Sequence, residues 1–350
     1  MAHVPVFGLE ALDDEVKEAM CYSLQDTTKT SYNSCVRNWG RFCITHSLSP
    51  VLAIGSEQYP TENEVERVFT LFLAWCCRSM VFDSAEKNCS AVATWALHKF
   101  GARPKYRADF WKTTKRGLQR LHFRIPSQKK PVRAEHIECI ASWVKKDSYD
   151  MFCVFVAFTV AWHALLRKSE FTMRSARLGF RASVDVTWGK VHWYPNAFAP
   201  ETIEIELGIC KGDQRRPTSV YLHKAANKAI CPVEGLRRLF WWPSKARGKN
   251  DPAFVYKGEP LSPTVFDRVF RRVMSIACHV DDRVPHSLRV GGAQALQEAG
   301  AAPWVVQAIG RWRSAAWRAY CHADFRAVRS WARSMGNWRE HRREYRSEHR

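Results

Sequence analysis

The feature that most constrains this chain is a double change of hydrophobic period. Up to about Phe171, apolar residues recur at three- and four-residue spacing. The segment TIEIEL then alternates Ile203, Ile205 and Leu207 with Thr202, Glu204 and Glu206, and after Pro260 the helical spacing returns. The first period buries one stripe of a helix and the second buries one face of a strand, so a short sheet is set inside a helical protein. VDVTW, KVHWY and TSVYL read as the companion strands, and CKGDQRRP is a Gly- and Asp-bearing hairpin turn crowded with cations. The expected fold is mostly α with a small antiparallel β-sheet: a helical first domain, then an α+β domain.

At 350 residues the chain exceeds one ordinary core, and the patterns divide it. A first helix over Ser31–His46 lines up Tyr32, Cys35, Val36, Trp39, Phe42 and Cys43 on one face. Thr61 and Glu64 have the spacing of a capping box before Val65, Val68, Phe69 and Phe72. A third helix follows Asp83 or Ser84 and stops at Gly101; a fourth, from about Ala108 to Phe123, carries Lys112, Lys115, Arg116 and Arg120. The stretch from Ile125 to His136 has two prolines, the adjacent Lys129 and Lys130, and no apolar period. It reads as a basic linker over 125–135, between a domain of residues 1–124 and one of 136–350. Met151 to Leu166 is almost wholly apolar but shorter than the roughly 20 residues of a membrane span, so it reads as a buried helix ending at Arg167. Ser262 and Pro263 have the order of an N-cap and first helical residue, ahead of the stripe Val265, Phe266, Val269, Phe270 and Val273. Further helices are expected over about Ser287–Glu298, Pro303–Ile309 and Ser314–Ser334. The charged tail NWREHRREYRSEHR is expected to fray.

The formal net charge is +20 and the pI about 9.7, which favours a polyanionic partner, nucleic acid first. Lys112, Lys115, Arg116, Lys129, Lys130, Arg215 and Arg216 are the candidate DNA contacts. Twelve cysteines without a CxxC pair, and a start MAHVPVFGLE without a secretory leader, predict a reducing compartment. Cys278-His279 and Cys321-His322 lack the partner spacing of a zinc site, so no metal is expected. A phosphate-cradling G-x-x-x-x-G-K-[ST] loop is absent too, and no cofactor is expected.

Five residues recur in the order that phosphoryl transfer to a hydroxyl needs. Arg167 stands in LLRKSEF with Glu170 one turn later, and Lys211 is at the tip of the hairpin. His286 and Arg289 are three apart in PHSLRVGGA and project from one helix face, and Tyr320 follows in GRWRSAAWRAYCH.

ALLRKSEF resembles the first arginine box of the tyrosine recombinases and phage integrases. KGDQRRPTSVYL resembles their lysine hairpin, and PHSLRVGGAQALQEAGAAPWVVQAIGRWRSAAWRAYCH their second box, from H-x-x-R to the nucleophilic tyrosine. DTTKTSYNSCVRNWGRFC is similar to the first helix of their core-binding domain, so the likeness spans nearly the whole chain. The wording GRWRS is most similar to recombinases of eukaryotic mobile elements, the Crypton and DIRS-type groups. The resemblance implies a site-specific recombinase or integrase working on double-stranded DNA. It also implies a tetramer on paired sites, with AVRSWARSM as a final helix that docks onto a neighbouring subunit, and a nuclear location.

Residue chemistry fits those roles. Two guanidiniums, Arg167 and Arg289, can clamp the non-bridging oxygens of a phosphodiester. Tyr320 is the nucleophile, His286 its proton acceptor, Lys211 the proton donor to the departing oxygen, and Glu170 a buttress of Arg167. Most family members carry histidine or tryptophan directly after the glycine that here is Gly310. That slot holds Arg311, with Trp312 next; the expectation is that Trp312 fills it, Arg311 being the alternative. Two other readings share these residues: a type IB topoisomerase-like relaxing enzyme, and a DNA-binding protein of recombinase ancestry without activity.

Overall fold

The computed structural model describes residues 26–52, 54–100, 103–104, 106, 109–123, 130–144, 148–175, 178–210, 213–243, 247–314 and 317–318, with backbone alone for 26–30, 209–210 and 213–216. The chain forms two compact units that divide after Ser127.

In the first unit, helices α1 (Asp26–Thr45), α2 (Glu62–Cys77), α3 (Phe82–Phe100) and α4 (Asp109–Leu121) surround an aromatic core. Trp39, Phe42 and Cys43, three positions of the predicted α1 stripe, are buried against Phe69 and Phe72 of α2. The capping box takes another form than the sequence implies: Thr61 caps α2 without bonding its backbone, and its hydroxyl donates to the Glu64 carboxylate instead. Buried Glu66 accepts from the Trp111 backbone N–H at 3.2 Å, satisfying an orphan donor in the first turn of α4.

The second unit is built around α6 (Tyr149–His163), in which Phe152 to Trp162 are buried without a break. A helix apolar on every side must be enclosed on every side. Here α5 (Ala134–Trp143), α8 (Pro232–Phe240), α10 (His286–Glu298) and the short hairpin β4–β5 (Val255–Tyr256, Glu259–Pro260) enclose it. Among the described residues no helix is long and apolar enough to cross a membrane. The strands β1 (Val191–Tyr194), β2 (Thr202–Cys210) and β3 (Asp213–His223) form one antiparallel sheet in that order. Its register sets Ile203 opposite Leu222 and Ile205 opposite Val220, all on the buried face. Ser262 accepts from the Val265 N–H at the start of α9 (Pro263–Cys278), whose Phe266, Val269, Phe270 and Val273 are buried. The helix α11 (Pro303–Gly310) closes the described part of the unit.

Four sequence readings need correction. VDVTW is not a strand: Thr187 makes one isolated bridge to Pro252, and Trp188 opens a 3-10 turn. Asp185, buried, accepts from the Arg174 and Arg181 backbone N–H groups at 2.9 and 2.8 Å, which ties the segment into a loop. The cationic hairpin turn is shorter than it reads, because pairing continues to Cys210 and Asp213. Arg215 and Arg216 therefore lie in β3. Arg167 does not end α6, which stops at His163; it caps the one-turn helix α7 (Lys168–Phe171). Of the segment read as a basic linker, residues 130–133 are fixed in the second unit. The Val132 N–H donates to the Ser287 carbonyl at 2.9 Å, and its own carbonyl accepts from the Trp162 indole at 2.8 Å. The adjacent Trp241 and Trp242 are packing residues: Trp241 stacks on Phe198 and Trp242 lies against Tyr149 and Phe152.

Candidate functional site

The site is assembled where two helices end. The last carbonyls of an α-helix lack partners within it and carry the negative end of its dipole, so cations are favoured there. α6 ends through Leu165 and α11 through Arg311, both left-handed at φ 49° and 55°. Arg289 of α10 spans the two ends: its Nη1 donates to the Leu165 carbonyl, and its Nη2 to the Gly310 carbonyl at 2.5 Å. Arg311 turns back across the same gap, with Nη1 donating to Ala164 and Ile309 carbonyls at 3.1 and 3.0 Å.

Glycines permit this closeness. A methyl group on Gly291 would overlap the Val132 carbonyl, and one on Gly292 would overlap the Trp162 carbonyl and the Leu165 side chain. The sequence RVGG thus lets α10 lie directly on the end of α6, one turn beyond Arg289. The Arg289 guanidinium, 1% exposed, sits 4.4 Å from the centre of the Trp312 ring, a cation–π contact. Trp312 packs with Leu165, Ala293 and Val306, and the partly buried Trp317 joins them.

Glu170 gathers the remaining charges. Its Oε1 accepts from Arg167 Nη1 at 2.9 Å; its Oε2 accepts from the Arg167 backbone N–H at 2.8 Å and from Arg311 Nη2 at 2.6 Å. Burial pushes the Glu170 carboxyl up, but the Arg311 guanidinium, the Arg167 N–H bond and the Arg167 charge together hold it below its ordinary value. Phe171 packs edge-on to Phe266 and Lys168 pairs with Asp267 at 2.6 Å, so both ends of α7 are anchored to α9. Of the cluster, Arg167 is the most open, with its side chain 27% exposed against 4% for Glu170 and 13% for Arg311.

The structure thus brings together Arg167, Glu170, Arg289, Arg311 and Trp312, with His286 partly exposed on the first turn of α10. Lys211, Tyr320 and Lys129 lie outside the described residues. So does the expected final helix, apart from Ser314 and a turn at Trp317 and Arg318. Of the two residues after Gly310, Trp312 lies under Arg289, and Arg311 faces the Glu170 carboxylate. Sequence reasoning missed the Glu170–Arg311 bridge and the strap at Val132. Arg311 is 141 positions from Glu170, and no local pattern signals such a pair.

Among the candidate DNA contacts, Lys112 and Arg116 are exposed on α4 and form one stripe with Arg120, four residues apart. Lys115 pairs with Glu86, and Lys130 with Asp282 at 2.5 Å. Among the described residues no group of three or more His, Cys, Asp or Glu side chains could hold a metal ion.

No family model matches the sequence, and no curated protein matches it. Solved structures do. A lambda integrase (75–356) dimer bound to a COC' core site matches at a TM-score of 0.54 and 13% identity, covering 91% of this chain and 96% of that one. The Tn1549 transposon integrase in complex with transposon right end DNA matches at 0.52 and 13%, covering 90% and 95%. The chain has the fold of these integrases, the tyrosine recombinase fold.

Proposed function

We propose that this chain is a tyrosine recombinase, which cleaves and rejoins double-stranded DNA through a covalent 3'-phosphotyrosyl intermediate without metal or nucleotide. The observation that carries the reading is the arginine cluster at the joined ends of α6 and α11. Arg289 spans the two helix ends, and Arg167, 122 positions away in sequence, is tied to the same junction through Glu170 and Arg311, in a fold shared with DNA-bound integrases. Fixed guanidiniums stabilise charge that builds on a phosphodiester in transfer, the work that metal ions do in many nucleases. In this reading Tyr320 attacks phosphorus, His286 takes its proton and Lys211 protonates the departing sugar oxygen. The phosphotyrosyl bond conserves the energy of the broken strand, and reversal of the same steps rejoins it.

The helical unit, residues 1–124 in the sequence reading, serves as a clamp across the duplex, its exposed Lys112 and Arg116 on the backbone. Lys115, Lys129, Lys130, Arg215 and Arg216 are the further contacts of this reading. The residues after Tyr320 dock onto a neighbouring copy in a tetramer on paired sites, which separates a recombinase from a relaxing enzyme. The GRWRS wording supports the narrower affiliation with Crypton and DIRS-type elements, and with it a nuclear location.

The experiment is strand exchange in EDTA between two duplexes bearing the same candidate site. Recombinant products alongside a protein–DNA adduct support the reading. Relaxation of supercoils without exchange supports the topoisomerase-like alternative, and binding with neither supports an inactive DNA-binding protein.

A further inference from the structure

Arg311 occupies a backbone position that its residue type does not favour. At the left-handed residue ending a helix, glycine is the ordinary occupant, and an L side chain there is strained. Strain of this kind persists where the side chain's contacts hold it. The Arg311 contacts are specific: Ala164 and Ile309 carbonyls on Nη1 and the Glu170 carboxylate on Nη2, in a side chain 13% exposed. They fix the guanidinium in the wall of the site, facing the carboxylate and not the solvent.

That carboxylate also holds Arg167. Carboxylate oxygens compete with phosphate oxygens for the same guanidinium N–H groups. One Glu170 paired with Arg167 alone would make a neutral ion pair and occupy the donors a phosphate needs. With two guanidiniums on one carboxylate, a net positive charge remains and Glu170 is divided between them.

We infer that Arg311 is a positioning residue: by sharing Glu170 it keeps Arg167 oriented yet cationic enough to take the DNA phosphate. The inference rests on the recombinase reading and deepens it, since it assigns a function to the residue in the slot that most family members fill with histidine or tryptophan. Arg311 touches neither DNA nor nucleophile in this account; it acts through Glu170.

The test is a double-mutant cycle read by single-turnover cleavage of a nicked suicide duplex, with DNA affinity measured in parallel. Arg311→Ala should slow cleavage by roughly ten- to a hundredfold at unchanged affinity, the range for lost supporting contacts around a charged centre. Glu170→Gln should also slow cleavage in the wild-type background. In the Arg311→Ala background it should instead speed cleavage, because it releases Arg167 from the neutral pair. A merely structural Arg311 would give two losses that add. Arg311→Lys, which keeps the charge with less disturbance of the turn, should retain most of the rate and serves if the alanine variant does not fold. Cleavage by Arg311→Ala at the wild-type rate, absence of rescue in the double variant, or a rate loss of roughly ten- to a hundredfold in Arg311→Lys too would overturn the inference. A wild-type chain that forms no adduct with any duplex would overturn the recombinase reading, and this inference with it.

Discussion

Gly292→Ala tests how the site is built, because its cost can be worked from the packing. The added methyl would meet the Trp162 backbone carbonyl and lie 2.5 Å from Leu165 Cδ2. Backbone cannot turn aside as a side chain end can, so α10 must move off α6, at about 3 kcal/mol, the upper end for overpacking. The movement also lengthens the bond from Arg289 to the Leu165 carbonyl, a charge-assisted bond whose loss costs about 2 kcal/mol. Alanine's better helix propensity returns about 1 kcal/mol, leaving a net loss of about 4 kcal/mol. At about 2–4 °C per kcal/mol for a unit of this size, the second unit should melt about 8–16 °C lower in calorimetry. Gly117 of α4 is the control: nothing lies within 4 Å of an added methyl there, so Gly117→Ala should stabilise by about 0.5–1 kcal/mol. If Gly292→Ala melted with the wild type, α10 would not be lying on α6 as described, and the path by which Arg289 reaches the α6 terminus would be wrong.

Arg289→Lys keeps the charge but cannot bond the Leu165 and Gly310 carbonyls with one planar fork, so cleavage should fall far more than DNA affinity. Equal losses of binding and cleavage would make Arg289 a backbone-positioning contact. Glu170 has a folded-state pKa below its ordinary value, so its stabilisation is fully present above about pH 4.3 and is lost as pH falls through the lower folded value. Acid denaturation curves of wild type and Glu170→Gln should therefore run apart at neutral pH and converge in acid; a constant gap would remove the charge from the account. With a formal charge of +20, DNA affinity should fall steeply as salt rises and be indifferent to chelators. Activity abolished by EDTA and restored by magnesium would point to a nuclease.

What the sequence shows of this fold depends on whether a signal is local. The Ser262-Pro263 start of α9 and the alternation of Ile203, Ile205 and Leu207 are read correctly because cap, stripe and pleat are each written within a few residues. VDVTW misleads because its alternation is that of a strand, but the Asp185 carboxylate accepts from the Arg174 and Arg181 backbone N–H groups, 11 and 4 positions back, and bends the chain. The end of α6 is misplaced at Arg167 because a helix buried on all sides has no period to lose, and the left-handed turn at Leu165 carries no glycine to announce it. Val132 is one apolar residue in a polar stretch, and its burial comes from Ser287 and Trp162, far along the chain. In the site, the residue types and their order are legible, while the pairing of Arg311 with Glu170 is purely tertiary.

The central claim is that Tyr320 becomes covalently joined to DNA, and peptide mass spectrometry of the trapped adduct measures this directly. A nicked suicide duplex incubated with the full chain in EDTA, then digested, should yield one nucleotide-bearing peptide, with the 3'-phosphate on Tyr320. Tyr320→Phe should bind the same duplex with the same affinity and yield no such peptide. A phosphodiester link found on Tyr345 or another residue, or an adduct undiminished in Tyr320→Phe, would contradict the account.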